Sequence, residues 1–259
     1  MAVEDRRESS PRSELAGRVA VVTGGAAGIG QAVVEELVGQ GCIVAAVDLT
    51  ADGVPKGATA LVSDVRNQAS LDTAIGGFGD RHGRIDFLVN NAGVSFVGTI
   101  EDGTEEDWHR IYDINVVGQM RSTRAALPYL RRSDAPAIVN MSSCTATNGI
   151  PKRALYSATK GAVQSMTMAM AADLVTEGIR VNCVSPGTVD TPFMAKLAAE
   201  APDPAVKRAQ FEARQPTGRM VAPAEIAAAV AFLLRPSARS SVGTCLNLDG
   251  GLTALRMWL

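Results

Sequence analysis

One junction constrains this chain more than any other feature. Thr23-Gly24-Gly25-Ala26-Ala27-Gly28-Ile29-Gly30 follows Val19 to Thr23, a run apolar on both faces. It opens a segment in which Ile29, Val33 and Leu37 recur at helical spacing before Gly39 and Gly41. A run apolar on both faces belongs inside a parallel sheet. Glycine accepts positive φ in a tight turn and lets backbone N–H groups approach an anion with no Cβ in the way. The helix that follows adds free N–H groups and a positive dipole end. The junction therefore predicts a strand, a phosphate-binding turn and a helix.

The next buried run, Ile43 to Val47, ends at Asp48, 20 residues after Gly28. An acid there can accept hydrogen bonds from a ribose diol and repels a 2′-phosphate. No Arg or Lys stands in the turn or next to Asp48 in the chain. The expected cofactor is NAD rather than NADP.

The same alternation continues. Further strands are expected at Ala60 to Val62, Asp86 to Val89, Ala137 to Met141, Ile179 to Val184 and Thr244 to Leu248. Helix-period stretches run over Asp107 to Leu130, Ala154 to Val175 and Pro223 to Leu234, the last closed by Pro236. Alternating strand and helix implies an α/β fold, a doubly wound parallel sheet with right-handed crossovers and helices on both faces. No repeat, linker or break in composition divides the 259 residues, so residues 15–259 are expected to form one domain behind a mobile, charged tail of residues 1–14. That tail lacks the apolar stretch of a secretory signal. The longest apolar run, Ile226 to Leu234, is too short to cross a bilayer.

Composition narrows the function. With 25 Lys+Arg against 27 Asp+Glu there is no basic block, which argues against nucleic acid as a partner. Cys42, Cys144, Cys183 and Cys245 are scattered without a C-x-x-C, and His82 and His109 are the two histidines. No metal site is expected. Unpaired cysteines suit a reducing cytoplasm.

The chemistry is expected at Tyr156 and Lys160. Four residues apart in a helix, they share a face. Ser142 and Ser143 end the preceding strand, at the sheet edge where open parallel sheets bind ligands. An ammonium and an oxidised nicotinamide both favour phenolate, and together they are expected to bring Tyr156 from about 10 toward neutrality as a general acid or base. A serine hydroxyl can hold the substrate oxygen.

These residues, in this order, resemble the short-chain dehydrogenase/reductase family from about Leu15 to Leu252. Thr23-Gly24-x-x-x-Gly28-Ile29-Gly30 resembles its cofactor turn. Asp64-Val65 resembles its adenine-contacting pair, and Asn90-Asn91-Ala92-Gly93 its fourth-strand motif. Ser143, Tyr156 and Lys160 fit its Ser-x12-Tyr-x3-Lys spacing, which selects Ser143 over Ser142. Asn115 matches the asparagine that the family uses to hold a relay water. Pro186-Gly187, with Val189 and Thr191 beyond, matches its nicotinamide loop. The resemblance implies a seven-stranded, mostly parallel Rossmann sheet, NAD as cofactor, and a homotetramer or homodimer.

Arg153 precedes Tyr156 by three residues, and Arg214 follows the variable stretch Thr191 to Phe211 that covers the site in this family. A guanidinium there offers bidentate binding to a carboxylate. Pro186 to Arg219 is similar to the type 2 cytosolic 3-hydroxybutyrate and 2-keto-3-deoxy-L-fuconate dehydrogenases, which implies a small hydroxy acid or sugar acid as substrate. Alternatives are an uncharged alcohol, ketone or sugar on the same Ser–Tyr–Lys site, a non-catalytic NAD sensor, and a lyase or epimerase with internal hydride transfer. His109 reads as surface, and Cys144 is given no chemistry.

Overall fold

In the computed structural model, which describes residues 13–256, the expected strands form as β1 Val19–Thr23, β2 Ile43–Asp48, β3 Thr59–Val62, β4 Phe87–Asn90, β5 Ala137–Met141, β6 Arg180–Pro186 and β7 Cys245–Leu248. They make one sheet in the order β3-β2-β1-β4-β5-β6-β7. All six pairings are parallel. The order reverses between β1 and β4, so a crevice opens at their carboxyl ends. The expected tail lies outside the described residues except for Ser13 and Glu14. The Ser13 hydroxyl donates to Gln40, and Glu14 accepts from the Ser237 backbone.

The helices are α1 Gly28–Gly39, α2 Gln68–His82, α3 Glu105–Tyr112, α4 Gly118–Leu130, α5 Ala154–Leu174, α6 Pro192–Ala199, α7 Pro204–Glu212 and α8 Pro223–Leu234. Strand residues alternate between two cores. Ala20 and Val22 of β1 pack with Val33 and Leu37 of α1 and Ile226 and Val230 of α8. Val19 and Val21 pack on the other face with Leu71 and Ile75 of α2, Leu130 of α4 and Leu174 of α5. The helices α6 and α7 pack on a separate small core of Met194, Ala198, Phe211 and Met220.

The helix expected over Asp107 to Leu130 is in fact broken. A capping box of Thr104 and Asp107 starts α3, a π-helical turn fills Asp113–Val117, and α4 follows. The wider turn carries Asn115 inward to full burial, where its amide bonds both backbone groups of Val94. Such turns recur at functional sites.

At the opposite end of the sheet, Arg180 is buried and, among the described residues, has no acidic partner. Its guanidinium donates to the carbonyls of Leu233, Leu234, Arg235 and Ala238. It closes the C-terminus of α8, where a cation also meets the negative end of the helix dipole.

Candidate active site

At the carboxyl ends of the strands lies a cleft of about 940 Å³. The glycine-rich turn forms its floor. Gly24 and Gly28 have φ of 66° and 57°, a region that disfavours any side chain. Gly30 does not face the cleft but lies behind the turn, where a Cβ would overlap the Gly24 carbonyl oxygen. The turn is pinned to the end of β4. Thr23 Oγ1 accepts from the backbone of Asn91 and Ala92, and the Asn91 amide donates to the carbonyls of Thr23 and Gly24 at 3.0 Å each. Ala27, at the N-cap of α1, has no side chain to cap the helix, and no acidic residue stands in its first turn. The free N–H groups of this helix end therefore suit an anion lying over the turn.

Asp48 accepts from Ala26 N at 3.0 Å and from Leu49 N at 2.8 Å, bracing the turn while lining the cleft. Asp64 and Val65 line the same end. Arg66 lies there too, a residue that the chain order gave no reason to place near Asp48. Its guanidinium is held by both oxygens of Asp64, which keeps the Asp64 carboxyl below the usual carboxylate range. The opposite wall is Ala92 and Gly93, and the roof is Pro186, Gly187, Val189 and Thr191. Gly187 N donates to Leu248 O, and Thr191 caps α6.

Tyr156, Lys160 and Ser143 meet in this cleft, because α5 begins directly after the loop from β5. Ser142 Oγ donates to the Lys160 carbonyl, whereas Ser143 Oγ accepts from Thr145 N and bears on the phenol. Lys160 is 3% exposed, and its ammonium donates to the Met141 carbonyl at 2.8 Å, 5.6 Å from the centre of the Tyr156 ring. Burial pulls Lys160 down to about 8. The expectation that the ammonium brings Tyr156 toward neutrality needs correction for the protein alone. Packing around the phenol pushes it up to about 12, against smaller opposing effects from Ser143 and Arg153. Lys160 points at a carbonyl rather than at the phenol, and desolvation dominates.

Asn115 does not reach the cleft wall. Its amide is occupied by Val94 and by Thr159 of α5, making it a strut between the end of β4 and the Tyr–Lys helix.

Arg153 and Arg214 both line the cleft beside Cys144. Arg153 Nη1 donates to Ser95 Oγ at 2.8 Å and Phe96 O at 3.1 Å. Arg214 lies over the Phe211 ring at 4.8 Å. Among the described residues, neither guanidinium has a carboxylate partner, and burial lowers both from the usual arginine range. Burial raises the Cys144 thiol. His109 is exposed. Among the described residues no group of three or more His, Cys, Asp or Glu could hold a metal, and no helix is long and apolar enough to cross a membrane.

Comparison with known proteins agrees with this architecture. A family model described as enoyl-(acyl carrier protein) reductase matches residues 24–253. The chain is 35% identical to 2-(S)-hydroxypropyl-CoM dehydrogenase 3 of Xanthobacter autotrophicus, across 94% of this chain and 99% of that one. It is 37% identical to L-fucose dehydrogenase of Bos taurus, across 92% and 90%. The ligand-free aldohexose dehydrogenase of Thermoplasma acidophilum superposes with a TM-score of 0.90 at 34% identity, across 95% and 98%. The chain belongs to the short-chain dehydrogenase/reductase family, and its relatives mark it as an oxidoreductase.

Proposed function

We propose that this protein oxidises a secondary alcohol bearing an acid group, a small hydroxy acid or sugar acid, with NAD. The observation that carries the reading is the meeting of Tyr156, Ser143 and buried Lys160 in the same cleft as an uncapped helix end and Asp48. In this reading Gly24, Gly28 and Ile29 cradle the pyrophosphate. Asp48 takes the ribose diol, and Asp64 and Val65 border the adenine. Asn91 to Gly93 and Pro186 to Thr191 enclose the nicotinamide side. Bound there, a nicotinamide would supply the hydride acceptor and a positive ring that favours phenolate.

The chain's own residues handle the proton. Ser143 orients the carbinol oxygen, and Tyr156 takes its proton. Lys160 sets the electrostatic surroundings from below, and Asn115 holds the end of β4 and α5 in place. Arg153 and Arg214 take the acid group: two half-buried cations without an acidic partner are costly unless a ligand supplies the charge. The family resemblance favours a homotetramer, and four free cysteines favour the cytoplasm.

A second reading, an uncharged sugar, is favoured by the 37% identity to L-fucose dehydrogenase. A panel of hydroxy acids, sugar acids, neutral sugars and secondary alcohols, read by absorbance of the reduced cofactor, separates them. The first reading expects Arg153→Met and Arg214→Met to raise KM for acids by about tenfold or more with NAD affinity unchanged. Equal KM values in variants and wild type would leave the sugar reading standing.

A further inference from the structure

Just past the end of α7, Arg214 lines the cleft, while the next residue, Gln215, lies behind that wall and is 1% exposed. A primary amide buried so deeply needs its hydrogen bonds made. Gln215 Oε1 accepts from Thr188 N at 3.1 Å. Its Nε2 donates to the carbonyls of Phe211 and Arg219, both at 3.1 Å. The two ends of the amide cannot be exchanged, because the first partner is an N–H and the others are carbonyls. Gly250 backs the side chain so closely that a Cβ there would stand 2.9 Å from Gln215 Cβ.

These bonds join two walls of the cleft that come from different parts of the chain. Thr188 stands in the roof loop after β6 and lines the cleft. Phe211 is buried in the small core of α6 and α7, and the Arg214 guanidinium lies over its ring. Gln215 therefore holds Arg214 twice, through the peptide bond they share and through the carbonyl of the residue on which Arg214 rests. The roof loop has a tie of its own, since Val221 N donates to Thr188 O and Asp190 N to Val221 O, both at 2.9 Å. Among the described residues no acidic group holds the Arg214 guanidinium. Its place relative to the roof rests on the Gln215 amide.

We propose that Gln215 is a positioning residue that selects the length of an acidic substrate; this rests on the reading that Arg214 takes the acid group and the roof loop encloses the nicotinamide. The amide fixes how far the Arg214 guanidinium stands from the roof. That distance decides which carbon of a bound acid, counted from its acid group, meets Ser143 and Tyr156. A rigid separation accepts one spacing between carbinol and acid, and a loose one accepts several. Gln215 itself touches neither substrate nor cofactor and acts through Arg214 and Thr188.

The test measures kcat and KM with NAD for lactate, 3-hydroxybutyrate, 4-hydroxypentanoate and gluconate, with the oxidised carbon of gluconate located by carbon NMR. Wild type should prefer one spacing over its neighbours by about tenfold or more in kcat/KM, and should oxidise gluconate at a single carbon. Gln215→Met keeps the length of the side chain and loses the amide. It should raise KM for the preferred acid about tenfold with kcat within about threefold, and its preference should shrink to about threefold or less. NADH affinity by fluorescence titration should stay within about threefold, because Val221 still holds the roof. Gln215→Asn, with the amide on a stem one methylene shorter, should fall between the two, and it decides if Gln215→Met does not fold. A variant as selective as wild type, a fall in kcat with KM and preference unchanged, or a wild type that accepts every spacing alike would overturn the proposal and leave the acid reading standing. A wild type that turns over none of the four acids would end the acid reading and this proposal with it.

Discussion

The Lys160 ammonium donates to the Met141 carbonyl at 2.8 Å, so the side chain that the sequence pairs with Tyr156 is anchored on β5. That anchoring leaves a buried charge with a neutral partner, and burial lowers Lys160 to about 8 from the ordinary 10.5. The unfolded chain therefore holds this proton more tightly than the folded one. The cost to stability is complete below about pH 8 and fades as pH rises through 10.5. Wild type should gain stability relative to Lys160→Met over that window, by on the order of 3 kcal/mol at most. Urea unfolding of both proteins at pH 7.5 to 10 reads the difference, and parallel curves would contradict it.

In the proposed reading Asp48 takes the ribose diol, and Arg66, which lines the same cleft, is held by Asp64. Removing the carboxylate in Asp48→Ser takes away the repulsion toward a 2′-phosphate and leaves a cation nearby. The ratio of kcat/KM for NAD to that for NADP should fall by about tenfold or more, since one lost charge interaction of about 1.4 kcal/mol is a tenfold change. An unchanged ratio would remove Asp48 from cofactor choice.

Gly30→Ala should destabilise the protein by about 1–3 kcal/mol, because its Cβ meets the Gly24 carbonyl, a backbone atom that cannot turn aside. Gly39→Ala, at the end of the same helix with open space around it, should be neutral or stabilising by about 0.5 kcal/mol. Thermal melts of the two variants make the comparison.

Arg180→Met should cost about 3 kcal/mol by leaving the carbonyls at the end of α8 without their donor. Cofactor affinity should not change, since Arg180 stands at the amino end of β6, away from the cleft. Urea midpoints together with titration of reduced cofactor fluorescence separate the two effects.

The strands and the order of motifs were legible because parallel strands must be apolar on both faces and phosphate turns need glycine. What escaped the reading has physical causes. The helix α2, which carries Gly76, Gly77 and Gly79, is not among the helices expected from periodicity. A Cβ at Gly79 would stand 2.5 Å from the Tyr129 ring, so the glycine serves packing against α4. The π turn at Asp113–Val117 leaves no trace in periodicity, because one extra residue per turn is a local event. Arg66 reached the cofactor end through the loop after β3, which spacing alone does not place. Helical spacing put Lys160 on the face of Tyr156 correctly. It could not show that a four-carbon stem carries the ammonium back to Met141, nor that desolvation would outweigh it at the phenol.

The central claim is that the Tyr156 hydroxyl carries the proton. Tyr156→Phe removes one oxygen and keeps the ring on α5. Turnover of whichever alcohol the panel identifies should fall by about 10²–10⁴-fold, with NAD affinity by fluorescence titration within about twofold of wild type. A phenylalanine variant that binds NAD and turns over at the wild-type rate would contradict the account.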